Sequence, residues 1–123
     1  MKNREISFRV WDTYLGNWGD PGAFLGITSR GVLISENELN TKGSVVQQFT
    51  GLKDKNSKKI FEGDIIEMNE SGGDYCLGSV FFYKGSFVVN ENAGIDEFSE
   101  LGNNANYFEV IGNIFENPEL LKQ

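Results

Sequence analysis

Histidine is absent from this chain, and with it the commonest general base, proton shuttle and metal ligand. Ser-His and Cys-His nucleophile pairs and histidine-held zinc are therefore excluded. Cysteine occurs once, at Cys76, which excludes an internal disulfide and every multi-cysteine zinc site and suits a reducing compartment. No positive charge gathers around it, so Cys76 is expected to be a small buried residue rather than a reactive thiolate. No apolar run approaches the roughly 20 residues of a membrane span, and the opening MKNREISF reads as a charged segment leading into a strand, not as a secretion signal. A soluble cytoplasmic protein without membrane contact is the expectation. Basic residues are also scarce: 11 Lys and Arg against 18 Asp and Glu leave a net charge of −7. Such a chain repels phosphate backbones at long range, and nucleic-acid binding would require a locally basic face.

What is present describes an ordinary globular domain. A chain of 123 residues buries roughly two thirds of the surface it would expose unfolded, enough for a real core without a covalent staple. Fifteen glycines are nearly twice the usual share of about 7%, and they accompany ten phenylalanines. That combination favours many short strands joined by tight turns.

Along the chain, Glu5 to Trp11 alternates around Ile6, Phe8 and Val10, which predicts a strand with those three on its apolar face. Asp12 to Gly22 is dense in breakers and reads as a loop threaded by Tyr14, Leu15 and Trp18. FLGIT and GVLIS, separated by Ser29-Arg30-Gly31, predict a hairpin within Phe24 to Ser35. Glu36 to Gly43 is polar and forms the best internal boundary, though too short to separate true domains. Further on, Leu77 to Tyr83 and Ser86 to Asn90 predict a hairpin across Lys84-Gly85. Ile95, Phe98 and Leu101 stand at helical spacing and predict a short helix within residues 90–106. Tyr107 to Phe115 returns to strand character. Asn117, Pro118 and Glu119 then predict a capped helix of one or two turns.

The centre of the chain is Gln47 to Glu67, QQFTGLKDKNSKKIFEGDIIE. Val45, Val46 and Phe49 on one side, and Ile60, Phe61, Ile65 and Ile66 on the other, favour half-buried strands. Between them lies a polar turn in which Asp54 and Asn56 are placed to bond nearby backbone amides. At Glu62-Gly63-Asp64 glycine permits a backbone geometry that a Cβ would block, and the aspartate can bond locally before the next strand. The run FTGLKDKNSKKIFEGDII, with ISFRVWD (Ile6 to Asp12), FEVIGNIFENPELL (Phe108 to Leu121) and, more loosely, GSVFFYKGSFVV (Gly78 to Val89), resembles the YopX family of phage and prophage proteins. Ser57 stands where that turn more often carries glycine. The resemblance implies an SH3-type barrel and a phage context; the family has no established biochemical activity, and no active site is implied.

Candidate chemistry is thin. Asp64, Glu67, Glu70 and Asp74 are close in sequence, but alternation puts Asp64 and Glu67 on opposite strand faces, which favours a solvated edge over a catalytic pair. The segment from Asp54 begins like a calcium loop and then fails it, with Lys58 at the fifth position, Lys59 where glycine is required and Ile65 where the bidentate glutamate belongs. Gly72-Gly73 has no Gly-Lys-Ser/Thr after it and is no phosphate loop. Lys53, Lys55, Lys58 and Lys59 form the one local basic cluster, able to grip phosphates, though a solvated turn offset by Asp54, Glu62 and Asp64 is the favoured reading. Phe81, Phe82, Tyr83 and Phe87 are expected in the core. Trp11 is expected to be packed, and Trp18 to be an exposed loop residue able to anchor an interface.

The fold expected is mainly β: a single domain with an N-terminal strand and hairpin region over residues 1–44, an SH3-like small barrel over 45–116 and a short C-terminal helix over 117–123. The function expected is that of a non-enzymatic phage or prophage accessory protein, without cofactor or metal, that binds a host or phage protein or its own copies. The alternative is a nucleic-acid-associated barrel using the turn from Lys53 to Lys59. Candidate contacts are Trp18, Lys53, Lys55, Lys58 and Lys59.

Overall fold

The computed structural model describes residues 5–19, 24–27, 30, 33–35, 44–69, 75–91, 98–100 and 107–121. Over these residues the chain is mainly β. The strands are β1 (Phe8–Asp12), β2 (Asn17–Trp18), β3 (Phe24–Ile27), β4 (Leu33–Ser35), β5 (Ser44–Lys53), β6 (Lys59–Phe61), β7 (Asp64–Asn69), β8 (Tyr75–Tyr83), β9 (Ser86–Glu91), β10 (Phe98–Glu100) and β11 (Phe108–Asn113). The chain divides into two compact units, Phe8–Gln47 and Met1–Ser7 with Gln48–Gln123. The division falls inside β5, and Glu5 to Ser7 go with the C-terminal unit.

In the unit Phe8–Gln47, β1 and β2 pair antiparallel with Trp11 opposite Trp18 and Asp12 opposite Asn17. The loop expected over Asp12 to Gly22 therefore contains a strand. Its turn is organised by Asp12, whose Oδ1 accepts from the amides of Tyr14 and Leu15 at 2.9 and 3.0 Å. Gly16 closes it at φ +66°, in the left-handed region that glycine enters without a Cβ penalty. Trp11 is buried, as expected, and Arg9 and Val10 are both half-buried, but Phe8, expected on the same apolar face as Val10, is exposed. Strand alternation was legible, but the pairing of two tryptophans decided which face is covered. β3 and β4 form the expected hairpin, with Phe24 opposite Ser35 and Ile27 opposite Leu33.

The other unit is built on an antiparallel sheet ordered β10-β9-β8-β7-β11, beside the pair formed by the end of β5 with β6. Sheet order explains burial. β7 lies between β8 and β11, and Ile65 and Ile66 are both fully buried, one on each face. Ile60, Ile66, Val80, Val89 and Phe108 form the core, with Leu52, Phe87 and Val110 packed against it. Burying five such side chains stabilises the fold by about 1.5–3 kcal/mol each.

Three expectations are corrected in this unit. Phe82 and Tyr83 are not core residues: Phe82 is 56% and Tyr83 38% exposed. The reason is register, because β7 pairs with β8 only as far as Ser79, so the end of the β8–β9 hairpin overhangs the sheet. Residues Phe98–Glu100 are strand, opposite Val88 to Asn90, not helix; a free β9 edge overrides three apolar residues at helical spacing. The C-terminal element, Pro118–Leu121, is a 3-10 turn, closed by the Leu120 amide on the Asn117 carbonyl at 3.1 Å.

The Glu62-Gly63-Asp64 corner forms as expected. Gly63 has φ +82°, its amide donates to the Val80 carbonyl at 2.7 Å, and its own carbonyl accepts from Ile114 at 2.8 Å. Buried Asp64 accepts the Phe61 amide on Oδ2 at 2.8 Å. Expectations for Glu36 to Gly43, Glu70, Gly72, Gly73, Asp74, Ile95, Leu101 and the Cys76 side chain lie outside what the structure describes.

Candidate functional site: the lysine turn and the overhanging hairpin

The lysine turn begins at a break in β5. Phe49 pairs with Phe61 and Lys53 with Lys59, so β5 carries two residues more than β6 over this interval. Gly51 takes up the excess at φ +88°. Thr50 repairs the ladder there, its hydroxyl donating to the Ile60 carbonyl at 2.8 Å and accepting from the Leu52 amide at 3.2 Å.

Asp54 then fixes the turn. Its Oδ1 accepts from the amides of Asn56 and Lys58 at 2.8 and 2.9 Å, and its Oδ2 from the amide of Val110 at 2.9 Å. The Lys55 amide donates to the Phe108 carbonyl at 2.9 Å, which ties the turn to β11 a second time. Burial, with only 6% of Asp54 exposed, raises its pKa, but the amides of Val110, Lys58 and Asn56 and the charge of Lys58 together hold it below the ordinary carboxylate value. Both oxygens are engaged by backbone donors, so this carboxylate acts as a structural clamp.

All four lysines are exposed, and two have carboxylate partners. Lys55 Nζ is 3.5 Å from Glu109 Oε2, and Lys59 Nζ is 3.0 Å from Glu5 Oε1 and 5.1 Å from the Phe49 ring centroid. Asn56 Nδ2 also donates to Glu109, at 3.4 Å. The basic face is thus interleaved with acids. Trp18, the remaining candidate, belongs to the other unit, where it is half-buried: its ring meets Trp11 edge-on at 4.9 Å, and the Arg9 guanidinium lies 4.3 Å from its centroid. Arg9 is itself oriented by a 2.9 Å bond from Nε to Gln47 Oε1.

The aromatic end of the β8–β9 hairpin lies in the same unit as the lysine turn. Phe82 and Phe87 face each other across the strands, ring centroids 5.2 Å apart and 71° between planes, and Phe81 and Tyr83 share the other face at 6.2 Å. Lys84 and Gly85, at φ +48° and +86°, make the tight turn. Among the described residues, no three His, Cys, Asp or Glu side chains gather closely enough to hold a metal ion, and no helix is long and apolar enough to cross a membrane.

The family model described as YopX protein matches residues 7–122. The chain belongs to the YopX family. This YopX chain is also similar to a solved structure, the crystal structure of protein EF1440 from Enterococcus faecalis. That likeness has a TM-score of 0.63 at 26% identity and covers 98% of the YopX chain and 100% of the other. Among curated proteins no match to the chain was found.

Sequence reasoning placed Asp54 and the lysines of this YopX chain in a turn but missed what holds the turn. Val110 and Phe108 lie more than fifty positions away and carry no local sign of the contact. The exposed hairpin aromatics were missed for the same reason, since only strand register shows that the hairpin outruns its neighbour.

Proposed function

We propose that this YopX protein is a non-enzymatic accessory protein of a phage or prophage, working in the cytoplasm of the host bacterium by binding a host or phage protein or a second copy of itself. The observation that carries the proposal is the overhanging hairpin. It presents Phe82 and Tyr83 to solvent on a two-strand ribbon, and exposed aromatics are what protein interfaces use as anchors. The phage context in this proposal rests on the family resemblance alone. The polar residues that come closest to catalytic character, Asp54 and Asp64, hold backbone amides.

An SH3-like small barrel in the unit that contains the hairpin is part of the same proposal. It is supported by the antiparallel order of the five strands, the two-residue excess at Gly51 and the irregularity between Val110 and Gly112, since bulges of this kind bend strands toward closure. The nucleic-acid reading of the lysine turn is the less favoured one, because Glu109 and Glu5 already accompany Lys55 and Lys59. The test is affinity capture with the paired substitutions Phe82→Ser and Tyr83→Ser, which should remove a bound protein. Replacing the four lysines by glutamine should leave that protein bound.

A further inference from the structure

Ile65 is fully buried yet stands outside the core cluster of Ile60, Ile66, Val80, Val89 and Phe108, because it points to the opposite face of the sheet. On that second face its directly paired neighbours are Gly112 on β11 and Ser79 on β8, and further along β8 come Phe81 and Tyr83, with buried Val88 opposite Phe81. The C-terminal segment crosses this face. A Cβ placed on Gly112 would meet Asn117 Oδ1 at 2.6 Å, so Asn117 lies over Gly112, while Pro118–Leu121 lies against β8, on the other side of β7. The segment thus passes over β7 on the face of Ile65.

Its two ends are held unequally. At the root, Asn113 is buried, and its Oδ1 accepts from the amides of Phe115 and Glu116 at 3.0 and 2.9 Å. The Asn113 amide donates to Asn117 Oδ1 at 3.2 Å, and the Asn113 carbonyl accepts from the Asn117 amide at 2.9 Å. At the tip, none of Pro118–Leu121 is buried and Leu121 is exposed. Among the described residues the tip's hydrogen bond, from the Leu120 amide to the Asn117 carbonyl, stays within the segment. A tip without a buried side chain or a bond to the sheet opens locally at far less than the cost of global unfolding.

We propose that Pro118–Leu121 is the movable tip of a strap over the second face of the sheet, and that lifting it joins Ile65 to Phe81 and Tyr83 as one apolar surface. This rests on the reading of the hairpin as a docking element and adds its regulation: the strap sets how much apolar face a partner meets. Without a partner the strap stays closed, because lifting it exposes Ile65 to water.

Leu120→Ser combined with Leu121→Ser weakens the tip and leaves the root and the hairpin intact. At unchanged circular dichroism, the fluorescence of added anilinonaphthalene sulfonate, which reports exposed apolar surface, should rise about twofold over the parent. Adding Tyr83→Ser should remove the gain, because that ring belongs to the opened surface. Parent-level fluorescence in the folded double variant would overturn the proposal, as would a gain that survives Tyr83→Ser. Should the double variant fail to fold, Gly112→Ala decides by the same comparison, since its methyl displaces Asn117 and lifts the strap without changing the tip. The dye needs no partner, so a failure here is distinct from a failure of the docking reading, which affinity capture with Phe82→Ser and Tyr83→Ser judges separately.

Discussion

Asp54 concentrates the physics of this molecule in one side chain. A carboxylate almost out of solvent costs free energy unless its charge is satisfied, and here three backbone amides satisfy it, two from its own turn and one from β11. Asp54→Ala should cost about 2–3 kcal/mol at neutral pH, because it leaves buried amides without acceptors. The folded-state pKa lies below the ordinary 3.8, so the stabilisation is fully present above that value and is lost as pH falls through the lower folded one. Denaturation of parent and Asp54→Ala across a pH series should accordingly show the gap between them narrowing as pH falls below 3.8. Ser57 poses the opposite case. It sits at φ +64°, where an L-residue is strained by about 1–2 kcal/mol. Ser57→Gly should raise stability by about 0.5–1 kcal/mol once the extra chain entropy of glycine is subtracted, measured as a higher denaturation midpoint.

At the scale of elements, local chemistry was readable wherever the deciding contact is local. Lys84-Gly85 was legible as a hairpin turn, and both residues have the positive φ of a type I′ turn. Lysine is a poor occupant of that position. Lys84→Asn should stabilise the hairpin by about 0.5 kcal/mol in chemical denaturation. The Gly63 corner was legible for the same reason, as was the capping capacity of Asp54. Three features escaped local reading: the exposure of Phe8 on β1, the strand at Phe98–Glu100 and the exposure of Phe82. Each depends on which strand lies alongside and where pairing stops, and strand order is a property of distant segments. The same ladder explains Gly78, where a Cβ would come within 2.5 Å of the Asn90 carbonyl oxygen across the β8–β9 pair.

At the scale of the whole molecule, composition excluded chemistry more firmly than it suggested any. The missing histidine and the lone cysteine removed the usual nucleophile and metal arrangements, and the motif blocks around the lysine turn pointed to the family that the match over residues 7–122 establishes. The candidate site was legible only as a list of side chains. Trp18 belongs to the unit Phe8–Gln47, its ring edge-on to Trp11, and in the other unit the lysines are interleaved with Glu5 and Glu109. A chain of net charge −7 whose basic turn is already half accompanied by acids is poorly suited to nucleic acid, whereas an overhanging aromatic hairpin suits a protein partner. The most direct measurement is affinity capture from a bacterial lysate after nuclease treatment, comparing the parent with the Phe82→Ser and Tyr83→Ser double variant and with the four-lysine glutamine variant. The account predicts one discrete protein, or the chain's own copies, retained by the parent and the glutamine variant and lost by the double variant at unchanged thermal stability. Retention by the double variant would contradict it, as would bound nucleic acid that disappears with nuclease or with the lysines.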